Sequence, residues 1–115
     1  MSSRSIKELL EDMLDAIQQI EVYTAEVDSD GFFFDRKTQD AVVRNLEIIG
    51  EAAGRLPDAF REEHSDIPWA LVRGLRNRIV HAYFGVDLPL IWEVIQDDLP
   101  TLRARLIHLQ GDAAG

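Results

Sequence analysis

Apolar residues return at steps of three and four along almost the whole chain, and no stretch alternates apolar with polar long enough to make a strand. That spacing is the one-sided stripe of a core-facing helix, so it predicts an all-α fold. Ile6, Leu9, Leu10, Met13, Ile17 and Ile20 mark a first helix from Ser5 to about Val27. At its start Ser5 and Glu8 are placed to satisfy unpaired backbone N–H groups reciprocally, as a capping box. The run Asp28-Ser29-Asp30-Gly31 reads as a turn. Phe32, Phe33 and Phe34 follow, and three adjacent rings cannot all face one side of a helix, so some plug a core edge or an interface. Asp35 is the expected N-cap of a second helix reaching Leu56. Its inner face carries Val42, Leu46, Ile49, Ala53 and Leu56, its outer face Asp40, Arg44, Glu47 and Glu51, and Pro57 closes it.

Residues 57–66 have room for one helical turn at most. A third long helix runs from Pro68, proline being suited to a first helical position, to about Tyr83. Pro89 begins another, with Leu90, Ile91, Val94 and Ile95 as its stripe, and Pro100 either kinks it or starts a final helix to Leu109. Residues 111–115 are expected to be a disordered tail. The result is an up-and-down bundle of four to five helices forming one domain over residues 1–115, a length that can bury a core without a metal or disulfide staple.

Composition removes several classes of function. There is no cysteine, so disulfide frameworks, thiolate metal sites and cysteine nucleophiles are excluded. His64 and His108 have no metal-ligand spacing and read as surface residues, and no metal or other cofactor is expected. There is no Gly-rich phosphate loop and no nucleophile elbow. The formal net charge of −9 argues against a broad electropositive nucleic-acid surface, so any RNA contact is local. The N-terminus passes straight into a charged amphipathic pattern, with no signal peptide or membrane span, and a cytoplasmic location is expected.

The chemistry gathers on the third helix. At about 100° per residue, Leu71, Val72, Leu75, Ile79 and Ala82 share the core face, while Arg73, Gly74, Asn77 and His81 lie opposite. Arg76 sits on the flank, with Tyr83 almost directly along the helix from it. One edge thus collects guanidinium, amide, imidazole and phenol. Cleaving RNA without a metal needs a base for the 2′-OH proton, an acid for the leaving oxygen and positive charge on the transition state. His81 exchanges protons near neutral pH and Arg76 stays cationic, with a planar fork for phosphate oxygens. Asn77 can orient imidazole or substrate. One histidine is poorly equipped to be both acid and base, and a symmetric dimer joining two motifs in one cleft is the simplest remedy.

Blander readings stand beside these. His81 alone could be a helix-end residue facing the carbonyl dipole, and Arg76 a surface ion-pair partner. Arg78 fits that category, whereas Arg73 shares the stripe of Asn77 and His81 and is the candidate helper. Tyr83 could pack as an aromatic against Phe84 and Trp92. A salt-bridged face accounts for Glu47 and Glu51. Asn45 falls inward, as a buried polar group with a specific partner or as an interface contact. Gly74 either admits close approach of another backbone or of RNA, or is merely tolerated.

The run Ile67-Pro68-Trp69 and then Gly74-Leu75-Arg76-Asn77-Arg78-Ile79-Val80-His81-Ala82-Tyr83-Phe84-Gly85-Val86-Asp87 resembles the signature of HepT-like proteins of the HEPN superfamily, Arg-x4-His-x-Tyr. Residues 44–53 and Trp92 with Asp98-Leu99-Pro100 are also similar to that family, so the likeness covers most of the chain. The resemblance implies a dimeric helical bundle with the motifs facing across a cleft, and a metal-independent endoribonuclease acting as the toxin of a toxin–antitoxin pair on transfer RNA or messenger RNA. Arg76 and His81 match the catalytic pair, Asn77 the polar residue after the arginine, and Glu51 lies in a similar Gly-Glu-Ala setting. The implied partner is an MNT-type nucleotidyltransferase antitoxin, which would transfer AMP from ATP to Tyr83. The alternative is a non-catalytic helical module that binds and regulates such a nucleotidyltransferase. The Gly-Ser and paired-carboxylate signature of a nucleotidyltransferase itself is missing.

Overall fold

The computed structural model describes residues 4–75, 77–79 and 87–114, the last three of these by backbone alone. Among the described residues every regular element is helical. The elements are α1 (Ile6–Thr24), α2 (Ser29–Phe33), α3 (Arg36–Arg55), α4 (Asp58–Glu63), α5 (Trp69–Arg73), α6 (Leu88–Glu93), a π-turn (Val94–Asp98) and α7 (Leu99–Ala114). The two long helices α1 and α3 pack side by side, α7 lies against α1, and α5 crosses onto α3.

Caps define the early boundaries as the sequence predicts. Ser5 Oγ accepts the Glu8 N–H at 3.1 Å while a Glu8 carboxylate oxygen accepts the Ser5 N–H at 3.0 Å. Asp35 accepts from Thr38 through both its backbone N–H and its hydroxyl. The inward stripes close on one core: Leu10, Met13, Ile17 and Ile20 of α1 meet Val42, Leu46, Ile49 and Ala53 of α3, all fully buried.

Several boundaries differ from expectation, each for a local reason. Residues 28–31 do not simply turn, because Asp28 accepts the Gly31 N–H at 2.7 Å and so caps the short helix α2. Asp and Ser favour turns and N-caps through the same short-range hydrogen bond, and here the cap is made. The connection after Pro57 holds six helical residues rather than one turn, and Arg61 reaches back to the Ala53 carbonyl at 3.5 Å. α5 ends at Arg73 with Gly74 as its C-cap, and helical backbone resumes at Leu75 and at 77–79, with the Arg78 N–H bonded to the Gly74 carbonyl at 2.9 Å.

Pro100 both interrupts and starts a helix. It is the second residue of α7, and the turn before it widens so that the Leu99 N–H bonds the Val94 carbonyl five residues back. A proline has no N–H and crowds the carbonyl four residues earlier, which a wider turn relieves. Helical backbone then continues to Ala114, through the residues read from sequence as a tail. No helix among the described residues is long and apolar enough to cross a membrane.

The three phenylalanines divide cleanly. Phe32 is completely buried and stacks, tilted, on Trp92 with ring centroids 5.3 Å apart. Phe33 is half-buried and meets Phe32 edge-on, and Phe34 is 91% exposed. The sequence reading missed the lock beneath them: Gln39, buried on α3, donates its side-chain N–H to the Phe32 carbonyl at 2.8 Å.

Candidate active site

The helix after Pro68 is fixed from its start. Trp69 is buried and donates its indole N–H to the His64 carbonyl at 3.0 Å, while the His64 ring, half-buried rather than at the surface, stacks on Phe60 at 4.5 Å. Val72, Leu75 and Ile79 are buried, with Ile79 wholly so, which anchors one face of the motif helix in the core. That anchoring sets the rotation of the helix, and Arg73 and Asn77 are accordingly exposed on the other side.

Leu71 departs from the expected core face. It is 58% exposed and forms a wall of an open groove of about 460 Å³. On the helical wheel Leu71 falls at the margin of the apolar stripe, and the neighbour on that side is the widened turn before α7, which leaves a gap. Val72, Leu75, Val94, Leu99 and Leu102 also line the groove, with Arg78, Asp66, Asp97 and Asp98 at its polar margin. Arg105 crosses one end, donating to the Asp66 carbonyl at 2.8 Å and to its carboxylate at 3.1 Å. The groove therefore opens on the Leu71–Leu75–Arg78 side, away from the edge that carries Arg73 and Asn77.

The predicted accessory residues take these positions. The Arg73 Nε lies 3.8 Å from where a Cβ on Gly54 would stand, so the guanidinium stem runs over a glycine of α3. Glu51, one turn earlier on α3, pairs with Arg55 at 3.0 Å, both side chains exposed. That is the salt-bridged face expected of an i, i+4 pair, in which an exposed contact contributes little. Asn45 finds its partner within its own helix, donating to the Ala41 carbonyl at 2.9 Å. Around Gly74 the atoms that an added Cβ would meet are the Ala70 and Leu71 carbonyl oxygens of the preceding turn, at 3.1 and 3.6 Å, and no other element approaches. Arg76, His81 and Tyr83 lie outside the described residues.

Residues 13–109 match the family described as ribonuclease HepT-like. The chain belongs to the ribonuclease HepT-like family. The matched segment includes Arg76, His81 and Tyr83, and the all-helical architecture agrees with a HEPN-type bundle. A Thermococcus cleftensis protein named "Probable ribonuclease HepT" is 43% identical over 93% of this HepT-like chain and 97% of its own length. A Methanocaldococcus jannaschii protein whose name describes it as an RNase is 37% identical over 90% of this chain and 94% of its own. A second from that organism, named as a gamma-glutamylcyclotransferase as well as an RNase, is 42% identical over 92% of this chain but only 48% of its own length. No solved structure matches. As a HepT-like chain this protein is an endoribonuclease of the HEPN type, the enzyme class read from the motif.

Proposed function

We propose that this protein cleaves RNA without a metal, as the toxin of a toxin–antitoxin pair in the cytoplasm, with transfer RNA or messenger RNA as substrate. The observation that carries the reading is the family match across residues 13–109, which spans the whole Arg76 to Tyr83 run. The packing of its helix supports it: with Val72, Leu75 and Ile79 buried, the polar residues Arg73 and Asn77 are turned outward.

In this mechanism the His81 imidazole removes the 2′-OH proton, and the 2′-oxygen attacks the adjacent phosphorus. Arg76 holds two non-bridging oxygens and offsets the charge that builds on them in the pentacoordinate transition state. The bond to the 5′-oxygen breaks, a proton from His81 of a second copy goes to that oxygen, and the products are a 2′,3′-cyclic phosphate and a 5′-hydroxyl. A twofold dimer with facing motifs supplies base and acid at once. Asn77 orients the imidazole or the substrate, and Arg73 adds a local cation on an otherwise acidic surface. Glu51 is an accessory group whose charge is shared with Arg55. AMP transferred to Tyr83 by a nucleotidyltransferase antitoxin would set an anionic, bulky group beside Arg76 and exclude RNA phosphate by charge and by volume.

The test is expression of the wild type, Arg76→Ala and His81→Ala without any partner, scored for growth arrest and, with purified proteins in chelator, for RNA cleavage. Growth arrest and cyclic-phosphate ends are expected for the wild type alone. Loss of either side chain should slow cleavage by roughly 10²- to 10⁴-fold. Equal toxicity in all three would defeat the assigned roles.

A further inference from the structure

Two exposed features, far apart in sequence, have matching shape and opposite charge. The first is a knob at the α2–α3 junction, where Phe34 is 91% exposed and is followed closely by the exposed cations Arg36 and Lys37. Neither cation takes part in an ion pair among the described residues. The second is the groove of about 460 Å³ between the motif helix and α7, with an apolar floor and the exposed Leu71 as one wall. Its margin carries Asp97 and Asp98, both exposed and likewise outside every ion pair among the described residues.

We propose that the groove receives Phe34 of a second copy of this chain, with Arg36 and Lys37 of that copy set against Asp97 and Asp98. The fit is physical. A closed cavity of roughly 150 Å³ already takes a benzene ring, so the groove has room for a phenyl ring and the backbone that presents it. A large aromatic flanked by cations is the usual composition of an anchor residue, and an apolar slot with acidic margins is its complement. Charge also chooses the occupant, because a chain of net charge −9 repels its copies except where one of its few unpaired basic patches meets carboxylates. The contact joins two different surfaces and is head-to-tail in kind, distinct from a twofold cleft between motifs. One aromatic anchor with two ion pairs is smaller than a permanent interface, so the association depends on concentration.

Leu71 and Phe34 are both exposed, and changing either leaves the core intact. Phe34→Glu removes the knob and keeps the groove, whereas Leu71→Glu spoils the groove and keeps the knob. Helical circular dichroism should be unchanged in both. By sedimentation over a concentration series each variant alone should associate roughly tenfold more weakly than the wild type, or worse. An equimolar mixture of the two should recover a contact, because one supplies the groove and the other the ring. Masses identical to wild type in both variants, or a mixture that recovers nothing, would overturn the proposal. It would fall equally if the masses stay unchanged while Phe34→Glu loses retention of RNA or Leu71→Glu loses a basic partner protein. Ribonuclease activity plays no part in this readout, and the result is separate from the test of Arg76 and His81.

Discussion

Three neighbouring phenylalanines offer a graded test of how α2 is seated. Phe32 is fully buried, stacked on Trp92 and enclosed by the core, so Phe32→Ala removes a whole ring from a packed site. Such truncations cost about 3–5 kcal/mol, because the lost transfer energy is joined by that of the cavity left behind. Phe33, half-buried with one edge-on contact, should lose about 1–1.5 kcal/mol, half the value of burying a large side chain. Phe34 keeps 91% of its surface in water, and Phe34→Ala should fall within about 0.5 kcal/mol of wild type. For a domain of this size about 4 °C of melting temperature corresponds to each kcal/mol, so Phe32→Ala should melt roughly 12–20 °C lower and Phe34→Ala within about 2 °C. Thermal and urea unfolding at low protein concentration measure this, the dilution removing any contribution from association through Phe34. A Phe34→Ala protein as unstable as Phe32→Ala, or a Phe32→Ala protein as stable as wild type, would refute the placement of α2.

Gln39→Leu should cost about 1–2 kcal/mol in urea unfolding and speed hydrogen exchange in α2, since the buried Phe32 carbonyl would lose its side-chain donor. Asn77→Ala should leave unfolding within about 0.5 kcal/mol of wild type while lowering RNA cleavage, whereas Ile79→Ala should cost about 2–5 kcal/mol and lose activity through unfolding; equal stability of the two would contradict their opposite burial. Acid should unfold the helix starts first. The Glu8 carboxylate is held below its ordinary value by the Ser5 backbone N–H, then the Ser5 side chain and Arg4, and Asp35 by the Thr38 hydroxyl, then the Thr38 N–H. A depressed carboxylate stabilises fully above its unfolded pKa, about 4, and the contribution is lost as pH falls through the folded value. Stability should thus be flat toward neutral pH and decline below about pH 4, and Glu8→Gln with Asp35→Asn should flatten that decline in a urea titration against pH.

Much of the bundle is legible in the sequence because its helices begin with side chains that make local hydrogen bonds and continue with regular stripes. Ser5 with Glu8, and Asp35 with Thr38, are contacts within three residues, so no knowledge of tertiary structure is needed to foresee them. What escapes is set by distant partners. α2 exists because Phe32 finds Trp92 and Gln39, and Leu71 turns outward because the neighbouring helix changes pitch, neither of which the local pattern contains. The site is readable in a different way. The motif names its residues through resemblance, and periodicity correctly puts Arg73 and Asn77 on the face opposite Val72, Leu75 and Ile79. The acid-marginned groove beside them has no sequence signature, because its parts come from three separate segments.

The π-turn also settles the phase of the last helix. A stripe at Ile91, Ile95 and Leu99 advances by four residues twice, which on a regular α-helix would drift about 80° around the axis. One wide turn absorbs that drift, so that Leu102, Leu106 and Leu109 still face inward. Deleting a single residue from that turn would regularise the hydrogen-bond ladder yet swing all three leucines by about 100°, leaving the better-formed helix with the worse-buried face.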